Sequence, residues 1–233
     1  MNENIINKPS KYSKDYLTKL FQYSLGEDIG NAVTHCVGAL FALGALSSLS
    51  WVAGRYGNAV DAMAFIIYGL SILFLFTMST IYHSMINHTA RSVFKKMDHI
   101  AILIMITGSY TPYVFSLVKS PKAYLIYAIL IIMTIMGIIF KSLYAGKFKI
   151  ISTLIYVIMG WLAVLLMPDI IRLAPIAGFY YMLASGLTYT VGAILYAFGK
   201  FKYSHMIWHL FVLVAAVLMF ISINFYILQY RVI

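Results

Sequence analysis

Long apolar runs separated by short polar breaks set the pattern of this chain. Seven runs approach or exceed the roughly 20 residues needed to cross a bilayer: 32–54, 59–82, 98–118, 121–140, 150–168, 175–198 and 205–229. The breaks are Gly57-Asn58, the basic run 84–97, Ser120-Pro121, Lys141 to Lys149, Asp169 to Arg172, and Gly199 to Tyr203. Within each run the apolar residues are continuous rather than alternating, which excludes the strands of an outer-membrane barrel. Lipid satisfies no backbone polar group, so helices remain. The pattern predicts an all-α integral membrane protein with seven transmembrane helices. Ahead of the first run, Tyr16, Leu17, Leu20 and Phe21 recur at helical spacing beside Lys14 and Lys19. This predicts a short amphipathic helix on the membrane surface within a tail of residues 1–31. Residues 32–233 then form one seven-helix membrane domain, without internal repeats.

Composition agrees: 62% of the 233 residues are hydrophobic and 10% charged, where a soluble domain has roughly half and a quarter. Cys36 is the single cysteine, so a disulfide scaffold is excluded. A net charge of +10 would raise nucleic acid as a partner in a soluble protein. Here the basic residues sit in the breaks, where they orient the chain and meet anionic lipid, and no nucleic-acid partner is expected. The tail and the second, fourth and sixth breaks carry 12 Lys and Arg against 5 on the other side. The N-terminus is therefore expected in the cytoplasm and the C-terminus outside. The tail has no apolar stretch followed by a small-residue cleavage site, so no cleavable signal peptide is expected.

Ionisable residues within spans are costly, and their positions carry the chemistry. Ser79 and His83 lie four apart near the end of the second run, Asp98 opens the third, and His205 and His209 lie four apart at the start of the seventh. Four-residue spacing puts each pair on one helix face. With alternating helix directions, all five fall at one membrane depth, near the cytoplasmic face. Singly, each also reads as an interfacial polar residue. As a set, three imidazoles with an open position are the ligands of a catalytic zinc site. His205-Met-Ile-Trp-His209 lacks the Glu of a His-Glu-x-x-His helix, so a general base must come from elsewhere, and Asp98 is the acid at the right depth. Glu27, Asn31 and His35 share a face at the same level and form a possible accessory polar group; acids near a helix start also need no role beyond the dipole. His99, about 100° around the helix from Asp98, is not read as a ligand, and His88 is placed in a solvated basic loop. Pro112 cannot bond the Gly108 carbonyl, which predicts a kink there. No Walker loop, Gly-x-Ser-x-Gly elbow or dinucleotide fingerprint is present.

Four ordered motifs resemble those of the bacterial hemolysin III family, the prokaryotic branch of the progestin and adiponectin receptor superfamily. They are Glu27-Asp28-Ile29-Gly30-Asn31-Ala32-Val33-Thr34-His35; Ser79-Thr80-Ile81-Tyr82-His83-Ser84; Asp98-His99 with Gly108-Ser109-Tyr110-Thr111-Pro112; and His205-Met206-Ile207-Trp208-His209. The resemblance implies a multi-pass protein of the bacterial plasma membrane with a cytoplasmic N-terminus. It implies a zinc ion (Zn2+) held by His83, His205 and His209, with Asp98 and Ser79 contacting a bound water. It also implies ceramidase-like chemistry on a lipid or acyl-amide substrate. Three functions are weighed: a zinc-dependent lipid amide hydrolase, a lipid sensor with structural zinc, and a cytolytic protein. Seven committed spans suit the last poorly, and the hydrolase is favoured.

Overall fold

The structure, a computed structural model, describes residues 23–145 and 147–232; the surface helix expected around Tyr16 to Phe21 lies outside them. Seven helices are long and apolar enough to cross a membrane: α1 Leu25–Tyr56, α2 Ala59–Ser84, α3 His88–Val118, α4 Pro121–Tyr144, α5 Lys149–Leu173, α6 Ile176–Phe198 and α7 Ser204–Tyr226. The described residues contain no strand. Six of the helices close a ring, with α1 against α2 and α7, α2 against α3, α3 against α5, α5 against α6 and α6 against α7. The fourth packs outside the ring on α3, where Thr107 and Thr134 hydroxyls meet at 2.5 Å. Leu40, Trp51, Met136 and Leu143, each 62–68% exposed, stand on the outer surface. An apolar exterior around polar interior side chains is the arrangement lipid selects.

Helix α1 begins seven residues before its apolar run. Ser24 caps it by accepting the Glu27 N–H at 3.3 Å, as short hydroxyl side chains do at a helix start. Glu27, Asp28, Asn31 and His35 are all buried on its inner face. The drop in hydropathy there marks an inward polar stripe rather than a loop. Helix α3 likewise starts at His88, where the Asn87 side chain accepts the Ala90 N–H at 3.0 Å. Much of the basic run is therefore helix, His88 is its first residue rather than a loop residue, and Asp98 lies ten residues into the span instead of opening it. The expected break at Asp169 to Arg172 is also helical: a 3-10 segment, Leu162–Leu166, carries α5 on into Met167–Leu173.

Beyond Thr111, α3 continues as a π-helical segment, Pro112–Val118, which ends at Lys119 with φ 47°. This is the form taken by the expected kink. Pro112 leaves the Gly108 carbonyl without its usual N–H. The Thr111 hydroxyl replaces it, 2.7 Å from Gly108 O and 2.6 Å from Ala64 O on α2. A break in one helix is thereby converted into a tie between two.

Candidate metal centre

The starts of α1, α3 and α7 and the end of α2 come together at one end of the bundle. There, one nitrogen or more from each of His83, His205 and His209 lies within 4.8 Å of the others, and all three residues are buried. The Nε2 atoms of His205 and His209 are 3.2 Å apart. His83 Nε2 is buried with no hydrogen-bond partner. Buried polar atoms are almost always satisfied, so an orphaned imidazole lone pair beside two further imidazoles fits a cation. Three imidazoles suit zinc and other imidazole-seeking divalent ions.

Two of the rings are aimed from behind. His83 Nδ1 is 2.6 Å from Asp28 Oδ1, and the other oxygen of Asp28 accepts from Arg91 Nη2 at 2.9 Å. With the Nδ1 proton held by the carboxylate, the Nε2 lone pair faces the other two histidines. A carboxylate behind a ligand histidine fixes ring and tautomer in this way at metal sites. Arg91 itself is anchored, donating to the Tyr82 and Met85 carbonyls at 3.3 and 3.1 Å at the end of α2. His205 Nδ1 is 3.2 Å from the Tyr23 hydroxyl, and the two rings stack 4.3 Å apart. Burial pushes the Tyr23 phenol well above its usual pKa, so its oxygen keeps its proton.

The accessory group divides into three roles. Glu27 Oε1 accepts the His205 backbone N–H at 3.1 Å, capping the exposed donors at the start of α7 with a carboxylate. Asn31 Nδ2 lies 3.4 Å from His83 Nδ1. His35 stacks face to face on His209, with centroids 3.7 Å apart, and is not one of the three clustered rings.

Asp98 and Ser79 are both buried. The Ser79 hydroxyl neighbours the Asp98 carboxyl without completing a hydrogen bond. Asp98 also lines a cavity of ≈ 150 Å³ that reaches Tyr113 and Met219 towards the other end of the bundle. On its other side a smaller space of ≈ 40 Å³, bordered by Tyr23, Lys149, Tyr196 and His205, meets the first at Asp98 and Trp208. His99 lines only the smaller space. Three imidazoles that can hold a cation thus share a small space with Asp98 through His205, and Asp98, not the imidazole cluster, lines the large apolar cavity.

Asp28, Arg91 and Tyr23 were not assigned roles from sequence. Asp28 is one of two adjacent acids, and nothing in the spacing says that both turn inward. Arg91 sits in a basic run that reads as a lipid-contacting break, yet it is 5% exposed. Lys141 behaves similarly, being buried against the Ser152 hydroxyl.

Comparison with known proteins agrees with the motifs. The family model described as Haemolysin-III related matches residues 23–220. Hemolysin-3 of Bacillus cereus is 37% identical over 212 residues, covering 91% of this chain and 96% of that protein. The Hemolysin-3 homolog of Bacillus subtilis (strain 168) is 34% identical over 204 residues, covering 88% and 96%. The human protein called Monocyte to macrophage differentiation factor is 28% identical over 163 residues, 67% of either chain.

Proposed function

The chain belongs to the Haemolysin-III related family and is a multi-pass bacterial membrane protein, and from that premise we propose that it is a zinc-dependent hydrolase of a lipid amide. The observation that carries the reading is the buried cluster of three imidazoles, one of which, His205, borders a small space shared with the buried Asp98, while Asp98 also lines the large, mostly apolar cavity. His83, His205 and His209 hold the ion. Zinc so held supplies Lewis acidity to a carbonyl and lowers the pKa of a bound water towards 7. Asp98 accepts the proton of the attacking water on its carboxylate, and Ser79 orients that water. The same proton then passes from Asp98 to the amide nitrogen as the C–N bond breaks, giving a fatty acid and an amine. The apolar cavity takes the acyl chain. On the 12 to 5 distribution of Lys and Arg, the site faces the cytoplasm.

One observation favours a second reading. The cluster joins α2 to α7, which otherwise pack chiefly through α1, so the ion also suits a structural staple in a lipid sensor. Zinc content and fatty-acid release from a panel of acyl amides, measured on wild type and His209→Ala, test the proposal. Zinc and turnover lost together support the hydrolase; zinc in wild type without turnover on any amide favours the staple.

A further inference from the structure

The large cavity has a wall rich in polar residues whose polar atoms are nearly all committed elsewhere. Tyr110 Oη donates to the Met159 and Gly160 carbonyls, and Tyr113 Oη pairs with Ser222. Tyr156 Oη donates to His99 O, and Trp161 Nε1 donates to Thr190. The Ser109 hydroxyl is spent on Ile106 O. A ligand in this space therefore meets a hydrocarbon-like surface along most of its length. The exception is the end where His35 and Asp98 line it beside Trp208. His35 is 1% exposed, and neither ring nitrogen has a hydrogen-bond partner. Its ring is fixed, face to face on His209 at 3.7 Å and edge-on to Phe76 at 5.0 Å. The stack leaves the ring edge, which carries the nitrogens, as its means of polar contact. A buried imidazole with both nitrogens vacant costs stability unless something completes it.

Resting on the hydrolase reading of the same site, we infer that His35 is a substrate-binding residue: its neutral imidazole N–H donates a hydrogen bond to the carbonyl oxygen of the acyl group whose chain fills the cavity. The substrate class this specifies is a single-chain acyl compound with its polar carbonyl at one end and no polar group along the chain. Elsewhere on the wall, a hydroxyl or second carbonyl would find almost every hydrogen-bonding group already taken.

The test compares dodecanamide with dodecane, its counterpart lacking the carbonyl group, by binding to full-length zinc-loaded protein in detergent. His35→Phe keeps a ring to stack on His209 and removes both nitrogens, and His35→Gln restores a donor. Wild type should prefer the amide. His35→Phe should lose roughly 5- to 150-fold in amide affinity, the cost of leaving a buried acceptor unpaired, with dodecane binding and zinc content unchanged. His35→Gln should recover part of the loss. Equal amide affinity in His35→Phe and wild type would overturn the assignment. So would loss of zinc in both variants, which would make His35 part of the metal shell. Because binding is read without turnover, absent hydrolysis in wild type would count against the hydrolase and leave the His35 contact to stand or fall by itself.

Discussion

His83 presents one nitrogen to the histidine cluster because Asp28 holds the other at 2.6 Å, and Asp28 is in turn paired with Arg91 at 2.9 Å. Three helices thus fix one ligand: α1 supplies the carboxylate, α2 the imidazole and α3 the guanidinium.

Asp28→Ala should have two separable effects. Zinc affinity should fall on the order of 10–100-fold, as when a carboxylate behind a ligand histidine is removed. Stability should fall by about 3–5 kcal/mol, the cost of removing one partner of a buried ion pair. The double variant Asp28→Ala/Arg91→Leu should regain much of the stability but none of the zinc affinity. Metal titration and thermal unfolding of the two proteins check this, and recovery of both quantities together would make the Asp28 contact to His83 incidental.

For the ligands themselves, wild type should carry about one zinc per chain. Each of His83→Ala, His205→Ala and His209→Ala should lose most of it, since three imidazoles bind cooperatively to one ion. Metal analysis of purified protein decides the matter. Full occupancy in His209→Ala would dissolve the site as described.

The seven spans were legible from run length and the His205–His209 pair from i, i+4 spacing, while alternating helix directions put His83 at their level and the family resemblance made the three a ligand set. Run length and spacing are local signals. Less legible were the ends of α1 and α3, because polar residues that turn inward depress hydropathy as a loop would. Glu27, Asp28 and Asn31 did so at one end, and Arg91 and Asp98 at the other. Asp28 and Arg91 lie 63 residues apart, and no periodicity links them. The same holds for Tyr23 and His205, 182 apart.

Thr111→Val should weaken the bundle at the far end of α3. The substitution keeps the side-chain shape and strips the Gly108 and Ala64 carbonyls of their shared donor. A cost of about 1–3 kcal/mol is expected, chiefly from the buried Gly108 carbonyl, which Pro112 already deprives of its N–H, read as a lower unfolding midpoint with zinc content unchanged. An unaltered midpoint would mean that the π-helical segment holds without that tie.

Reporter fusions check orientation. A reporter after Ile233 should read as external and one inserted at His88 as cytoplasmic, from the 12 to 5 split of Lys and Arg. The opposite pair of readings would move the metal centre to the outer face.

Asp98→Asn separates catalysis from stapling. The amide keeps the size of the carboxylate, fits the same buried position beside Ser79, and can still bond a water, but it cannot take up a proton. If Asp98 acts on water rather than on the ion, zinc affinity should drop only on the order of 10–100-fold, so that the metal stays bound at excess zinc. Turnover of an acyl amide should drop further, by about 10²–10⁴, the usual contribution of a positioned base. A sensor with a structural ion would release no fatty acid in either protein, and the substitution would register only in stability. Zinc content and amide turnover should therefore be measured on the same two preparations. Loss of zinc together with activity would make Asp98 a direct ligand. Equal turnover in variant and wild type would remove the general base and leave the proposed mechanism without its proton acceptor.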